Sequence, residues 1–179
     1  MSMNKQENKS GLVLWLTGLS GAGKSSIAEK LVEYLELKHQ KVQLLDGDLI
    51  RNFCPTGFLK NERNDHVKRV GFMASLLEKH GVIVIASLIS PYQSARDDVR
   101  LMCKNYHEIY ISTSLEICET RDVKGLYKKA RASEIQNFTG VSDPYEIPKN
   151  PELKVQTEGV SVDESVLKVL NYLKSVKSI

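Results

Sequence analysis

A chain of 179 residues, 41% hydrophobic and 26% charged, has the size of one globular domain with enough apolar material for a core. Its 25 basic and 22 acidic residues leave a net charge of +3. That balance is too mild to call for a nucleic-acid polymer, although a local basic cluster can still meet a small anionic substrate.

Cys54, Cys103 and Cys118 are odd in number and widely spaced, with no CxxC pair and no histidine at zinc-ligand spacing, so they read as reduced thiols. No apolar run approaches the roughly 20 residues that span a bilayer. The polar start MSMNKQENKS has no signal core, so residues 1–10 are expected to be a flexible terminus and the protein cytoplasmic, with no membrane partner.

In chain order, the continuous apolar run GLVLWLTG reads as a buried strand. GKSSIAEKLVEYLELKHQ follows as a helix, with Ile27, Leu31, Tyr34 and Leu35 at helical spacing. KVQLLDGD is a second strand that ends on acids. The cluster TGFLKNERNDHVKR then leads into an amphipathic helix through Val70, Met73, Leu76 and Leu77. VIVIAS, HEIYIST and the weaker ELKVQTE supply three more strands, and a last helix runs from about Asp163 to Val176. Apolar strands separated by helices mean an α/β fold with a five-stranded parallel sheet and helices on both faces. With no repeat and no second composition regime, residues 11–179 are expected to form one domain.

The sharpest signal is GLSGAGKS, Gly18 to Ser25, which fits G-x-x-x-x-G-K-[ST] between a strand and a helix. The glycines let successive N–H groups surround phosphate oxygens, and the helix N-terminus adds its positive dipole end. Gly18, Ser20, Gly21, Ala22, Gly23, Lys24, Ser25 and Ser26 are therefore candidates for holding ATP. Lys24 would reach the β- and γ-phosphates and the Ser25 hydroxyl would ligate Mg²⁺. The plain alternative, a Gly/Ser-rich turn with a chance lysine, lacks a reason for the strand-loop-helix context.

P-loop proteins include switches, motors and small-molecule kinases. Hydrolytic machines carry a magnesium-binding aspartate at the end of an apolar strand, yet VIVIAS ends in Ala86 and Ser87. The acids stand instead in LLDGDLIR. If the backbone is extended there, Asp46 and Asp48 point to one side, where one could take an acceptor hydroxyl's proton while the other orients Mg²⁺. An Asx-type turn that merely closes the strand is the alternative. After the third strand, Ser87 and Ile89 are candidate acceptor contacts. Ser90 before Pro91 reads either as a hydroxyl facing substrate or as a helix N-cap. His39, His80 and His107 lie at helix ends or a strand start and read as ordinary boundary residues.

The pieces WLTGLSGAGKSSIA, LLDGDLIR, GVIVIASLISPYQSARDDVR, ICETRDVKGLYKKARASEIQNFTGVSDPYEIP and NPEL, in that order, resemble the adenylylsulfate (APS) kinase family of P-loop small-molecule kinases over most of the chain. The resemblance implies a P-loop nucleoside triphosphate hydrolase-like fold in three layers, MgATP as phosphoryl donor, the ribose 3'-hydroxyl of APS as acceptor, a basic lid over about residues 121–148, and a homodimer. It further implies that Lys124 sits near the transferring phosphate, Arg121 near the ATP base and Phe138 on the acceptor base, and that Ser90 aligns with a serine that can become phosphorylated. RDVKGLYKKAR suits such a lid, because phosphoryl transfer is mostly positioning plus positive charge; on composition alone it reads as a solvated basic helix.

In TGFLKNERNDHVKR, Phe58 matches the family's stacking aromatic, and Arg51 and Arg63 its two acceptor arginines. His66 stands where the family has Asn, and Lys68 where it has Arg. His66 is the expected substitute contact for that Asn. Two alternatives remain: a paralogue that phosphorylates another activated nucleotide, such as cytidine diphosphoramidate, and a non-catalytic nucleotide switch.

Overall fold

Strand β1 (Leu12–Thr17) is buried along its whole length, and its side chains alternate between two apolar layers. A computed structural model describes residues 11–176 and 178. On one face Leu12, Leu14 and Leu16 pack with Ile27, Leu31 and Leu35 of α1 (Lys24–Leu37) and with Val169, Leu170 and Leu173 of α7 (Val162–Ser175). On the other, Val13 and Trp15 pack with Val67, Val70 and Ala74 of α3 (Lys60–Lys79) and Val99 of α4 (Gln93–Met102). Each fully buried leucine contributes on the order of 1.5–3 kcal/mol, so this double-faced strand anchors the whole sheet.

The other strands are β2 (Val42–Asp46), β3 (Ile83–Ser87), β4 (Tyr106–Ser112) and β5 (Leu153–Gln156). All pair in parallel in the order β2-β3-β1-β4-β5. The expected three-layer α/β architecture is thus what the chain forms. The short helices α2 (Gly47–Phe53), α5 (Leu115–Arg121) and α6 (Leu126–Arg131) lie in the connections. The chain runs from β1 out to β2, returns to β3 beside β1, and then crosses to β4 on the other side, and this change of direction leaves a crevice at the carboxyl ends of β1 and its neighbours. Among the described residues no helix is long and apolar enough to cross a membrane. The flexible terminus expected for residues 1–10 lies outside the described residues.

Several local expectations are corrected. Helix α3 begins at Lys60, so the basic cluster is mostly helix rather than a lead-in. Its buried stripe runs through Arg63, His66, Val67, Val70, Gly71, Ala74 and Glu78, whereas Leu76 is 42% exposed. The stripe is set by close packing on α4: a Cβ on Gly71 would come within 2.5 Å of Val99 Cγ2. Ser90 is not an N-cap, since α4 starts only at Gln93 with Tyr92 preceding it. Ser90 instead takes φ +40 and accepts a buried hydrogen bond from Trp15 Nε1 at 3.0 Å. His107 stands at the start of β4 as expected, but it is no ordinary surface residue: it is buried and bonded through Nδ1 to Tyr172 Oη at 2.7 Å and through Nε2 to Asn105 Oδ1 at 2.9 Å. His39 and His80 are exposed at helix ends as expected.

Candidate active site

The loop between β1 and α1 turns through two left-handed glycines, Gly21 (φ +74) and Gly23 (φ +103), the latter at the N-cap of α1. Lys24 is only 8% exposed. Its ammonium donates to the carbonyls of Gly18 at 2.9 Å and Leu19 at 2.7 Å, which hold it across the loop. Burial lowers its pKa from 10.5 to about 8, a shift that Cys118 and Asp48 partly offset. Ser20, Gly21, Gly23, Lys24, Ser25 and Ser26 line a cavity of about 690 Å³, whereas Gly18 and Ala22 do not. The Ala22 carbonyl is bonded from behind by Thr113 and Thr157, each at 3.1 Å. Arg121, at the end of α5, also lines the cavity. It donates to the Gly21 carbonyl at 3.3 Å and to the Thr157 carbonyl at 3.0 Å, so it braces the P-loop against the segment after β5.

Asp46 and Asp48 both face this cavity, but the backbone is extended only at Asp46 and is helical from Gly47 on. Asp46 is the last residue of β2 and the N-cap of α2, its Oδ1 accepting from Asp48 N at 2.9 Å and Leu49 N at 3.0 Å. Asp48 stands in the first helical turn. The Asx-type turn and the functional placement are therefore one arrangement: the cap employs Oδ1 and fixes the Asp46 carboxylate at the strand end. Across the cavity Lys124 Nζ meets Asp48 Oδ2 at 2.5 Å, and that contact raises the Lys124 pKa. Both side chains are well exposed, so this is a bond that an incoming ligand can exchange.

At the far end of the cavity, Phe58 is half exposed and collared by two guanidinium groups, Arg51 at 4.6 Å and Arg63 at 5.4 Å from its ring centre. Arg51 holds the loop by donating to the carbonyls of Thr56 at 2.9 Å and Gly57 at 2.8 Å. Arg63 is 7% exposed and uses all three of its nitrogens within the protein. Nε donates to Phe58 O at 2.7 Å, one terminal nitrogen to Thr139 Oγ1 at 2.8 Å, and the other to Asn137 O. It thus staples the Phe58 loop to the Phe138 loop as well as lining the cavity. Phe138, Ser87 and Ile89 also contribute to the wall, with Phe138 8% and Ser87 4% exposed.

His66 is not on the cavity wall. It is 3% exposed, and its Nε2 donates to the Gly47 carbonyl at 3.1 Å. Burial and the nearby Arg51 lower its pKa to about 4, so the ring is neutral.

Sequence reasoning missed Thr113, Thr157 and Tyr127. Tyr127 donates to the Ser20 carbonyl at 2.9 Å and packs edge to face on Phe138. Only the position of Tyr127 two residues after the left-handed Gly125 hinted at an inward residue. The two threonines had no sequence signal at all.

The family model of adenylylsulphate kinase matches residues 10–156. An adenylyl-sulfate kinase of Microcystis aeruginosa is 48% identical over 165 residues, covering 91% of each chain. One from Halothermothrix orenii is 47% identical, covering 93% of this chain and 91% of its own. Among solved structures, the Mycobacterium tuberculosis APS kinase in complex with AMPPNP and APS superposes with a TM-score of 0.88 at 38% identity, over 92% of this chain and 98% of that one. A gluconokinase from Sinorhizobium meliloti, 16% identical with a TM-score of 0.58 over 94% of each chain, shares the fold alone.

Proposed function

The chain belongs to the adenylylsulphate kinase family, and we propose that it transfers the γ-phosphate of ATP to the ribose 3'-hydroxyl of adenylylsulfate, giving 3'-phosphoadenylylsulfate. It is an ATP-dependent phosphotransferase with a hydroxyl acceptor, as its relatives are, so a non-catalytic switch is set aside. The relatives lend no support to a paralogue acting on cytidine diphosphoramidate. The observation that carries the reading is a single cavity with a P-loop at one end, an aromatic and arginine collar at the other, and Asp46, Asp48 and Lys124 between them.

In this reading the P-loop N–H groups and Lys24 hold the triphosphate, and Arg121 borders its base. Phe58 and Phe138 stack on the acceptor adenine, while Arg51 and Arg63 supply the positive field for its phosphosulfate. Ser87 and Ile89 complete the acceptor wall. Asp46, fixed by its cap, takes the proton of the acceptor hydroxyl as the O–P bond forms. Lys124 leaves Asp48 for the transferring phosphoryl group and, with Lys24, stabilises the charge spread over its oxygens. Residues 121–148 act as the lid, which excludes water so that the acceptor alone receives the phosphoryl group.

Mg²⁺ fits the donor set. Ser25 presents an exposed hydroxyl on the cavity wall, and Asp46 and Asp48 add hard oxygen atoms nearby. No group of three or more His, Cys, Asp or Glu side chains among the described residues could hold a metal by itself. The ion would therefore rest on Ser25, nucleotide phosphates and water, with Asp46 or Asp48 orienting that water. When bound, it neutralises phosphate charge.

The test is ADP release with MgATP across a panel of nucleotides. Turnover with adenylylsulfate is expected, and silence with it at saturating MgATP refutes the proposal. A homodimer is the accompanying expectation, checked by light scattering.

A further inference from the structure

Tyr127 joins two parts of the cavity wall that, in the reading above, serve different nucleotides. It is 2% exposed, on the first turn of α6. That turn is fixed by the left-handed Gly125 and by Asp122, whose carboxylate accepts from Tyr127 N and Lys128 N, both at 3.0 Å. The hydroxyl donates to the Ser20 carbonyl at 2.9 Å. A trans peptide places its C=O and N–H on opposite sides. Anchoring the Ser20 oxygen on Tyr127 therefore turns the Gly21 N–H away from Tyr127, and Gly21 lines the cavity.

The same ring meets Phe138 edge to face, with centroids 5.0 Å apart and planes at 79°. Phe138 is fixed in turn through its neighbours, because Arg63 bonds Asn137 O and Thr139 Oγ1 on either side of it and reaches back to Phe58 O. An unbroken chain of contacts thus runs from Phe58 through Arg63, Phe138 and Tyr127 to the P-loop.

We propose that Tyr127 is a positioning residue that couples the acceptor subsite to the triphosphate subsite. An acceptor base packed on Phe138 holds the ring on which Tyr127 leans. The hydroxyl then stays on Ser20, and the Gly21 N–H stays in place for phosphate. Each ligand orders a contact that the other needs, so the two bind with positive and reciprocal coupling. The inference rests on the proposed assignment of ATP and adenylylsulfate to the two ends of the cavity.

The experiment measures the affinity for Mg-AMPPNP by calorimetry, with and without saturating adenylylsulfate, in the unmodified protein and in Tyr127→Phe. In the unmodified protein adenylylsulfate tightens AMPPNP binding by about fivefold or more. In Tyr127→Phe, which keeps the ring on Phe138 and loses only the hydroxyl, that ratio falls to within about twofold of one. A single cooperative thermal transition, lowered only by the loss of one buried hydrogen bond, and retained binding of each ligand alone show that the variant is folded. A general weakening of AMPPNP binding with the ratio preserved marks a structural role and overturns the proposal, as does a ratio of one in the unmodified protein. If AMPPNP binds and adenylylsulfate does not, the functional assignment itself fails and this inference falls with it. Binding of both ligands with intact coupling in Tyr127→Phe overturns the inference alone.

Discussion

Nucleotide binding should draw a proton from solution, and the amount follows from the position of Lys24. Burial lowers its pKa from 10.5 to about 8, and among the described residues its ammonium has only the carbonyls of Gly18 and Leu19 as partners. Phosphate oxygens placed beside it favour the charged form and return the group toward the ordinary lysine range. At pH 8 about half of the free protein carries the proton and nearly all of the complex does, so binding takes up about 0.5 proton. The uptake falls to about 0.1 at pH 7 and rises to about 0.9 at pH 9. Calorimetric titration with MgATP in two buffers of different ionisation heat reads this number directly. The same group makes the ligand-free fold more stable as pH rises from about 8 to 10.5, because in that window the unfolded chain binds more protons. Uptake of zero at pH 8, or uptake that fails to grow with pH, refutes the picture of a desolvated lysine waiting for phosphate.

Asp46→Asn keeps a good N-cap for α2, so turnover should fall by about 10²–10⁴-fold with little change in AMPPNP affinity; unchanged turnover moves the base role to Asp48. Phe58→Ala should raise the KM for adenylylsulfate about tenfold through lost base stacking. Because Phe58 is half exposed, its KM for ATP and its melting temperature should stay put. Ser90→Ala leaves Trp15 Nε1 buried without an acceptor and should lower stability by about 1–3 kcal/mol in urea unfolding. Glu108→Ala removes the carboxylate 2.8 Å from Arg96, which is 1% exposed and keeps the neutral acceptors Ser90 O, Gln93 Oε1 and Glu146 O, and should cost about 3 kcal/mol in the same assay.

The central strands β1 and β3 were legible because they are buried on both faces and therefore read as apolar runs, whereas the edge strands β2 and β5 expose Gln43, Lys154 and Gln156 and gave weaker patterns. The P-loop was legible because phosphate binding needs glycine and lysine at fixed spacing. The start of α3 was not legible: Lys60 to Arg69 holds a single apolar residue, Val67, so no apolar period marks the first two turns. Those turns are held by Glu62, whose carboxylate accepts from Leu59 N at 2.9 Å, and by Arg63 turned inward onto Asn137 O and Thr139 Oγ1 of a distant loop. Long-range bonds of that kind leave no periodicity. The same holds for Ser90, whose partner Trp15 is 75 residues away, and for Tyr127, whose inward direction depends on where the P-loop lies.

The structure also decides which departures from the family pattern can touch a ligand. Lys68, which replaces an arginine, turns to α4 and meets Asp98 Oδ2 at 2.8 Å, so its change of head group alters a surface pair between helices. His66, which replaces an asparagine, stands behind Gly47, where a Cβ would come within 2.8 Å of Leu88 Cγ. Its Nε2 supports the carbonyl between the two aspartates, a bond that an asparagine amide could also donate. Because its pKa is near 4, the ring is already neutral throughout the range in which Lys24 titrates, about pH 7 to 9, and adds no titration there. The residues that do reach the cavity, Arg51, Phe58, Arg63 and Phe138, are the ones expected from the sequence resemblance to hold the acceptor. His66 therefore bears on the setting of the Asp46–Gly47–Asp48 turn and Lys68 on the α3–α4 surface, and neither lies on the cavity wall that the proposed function assigns to the acceptor.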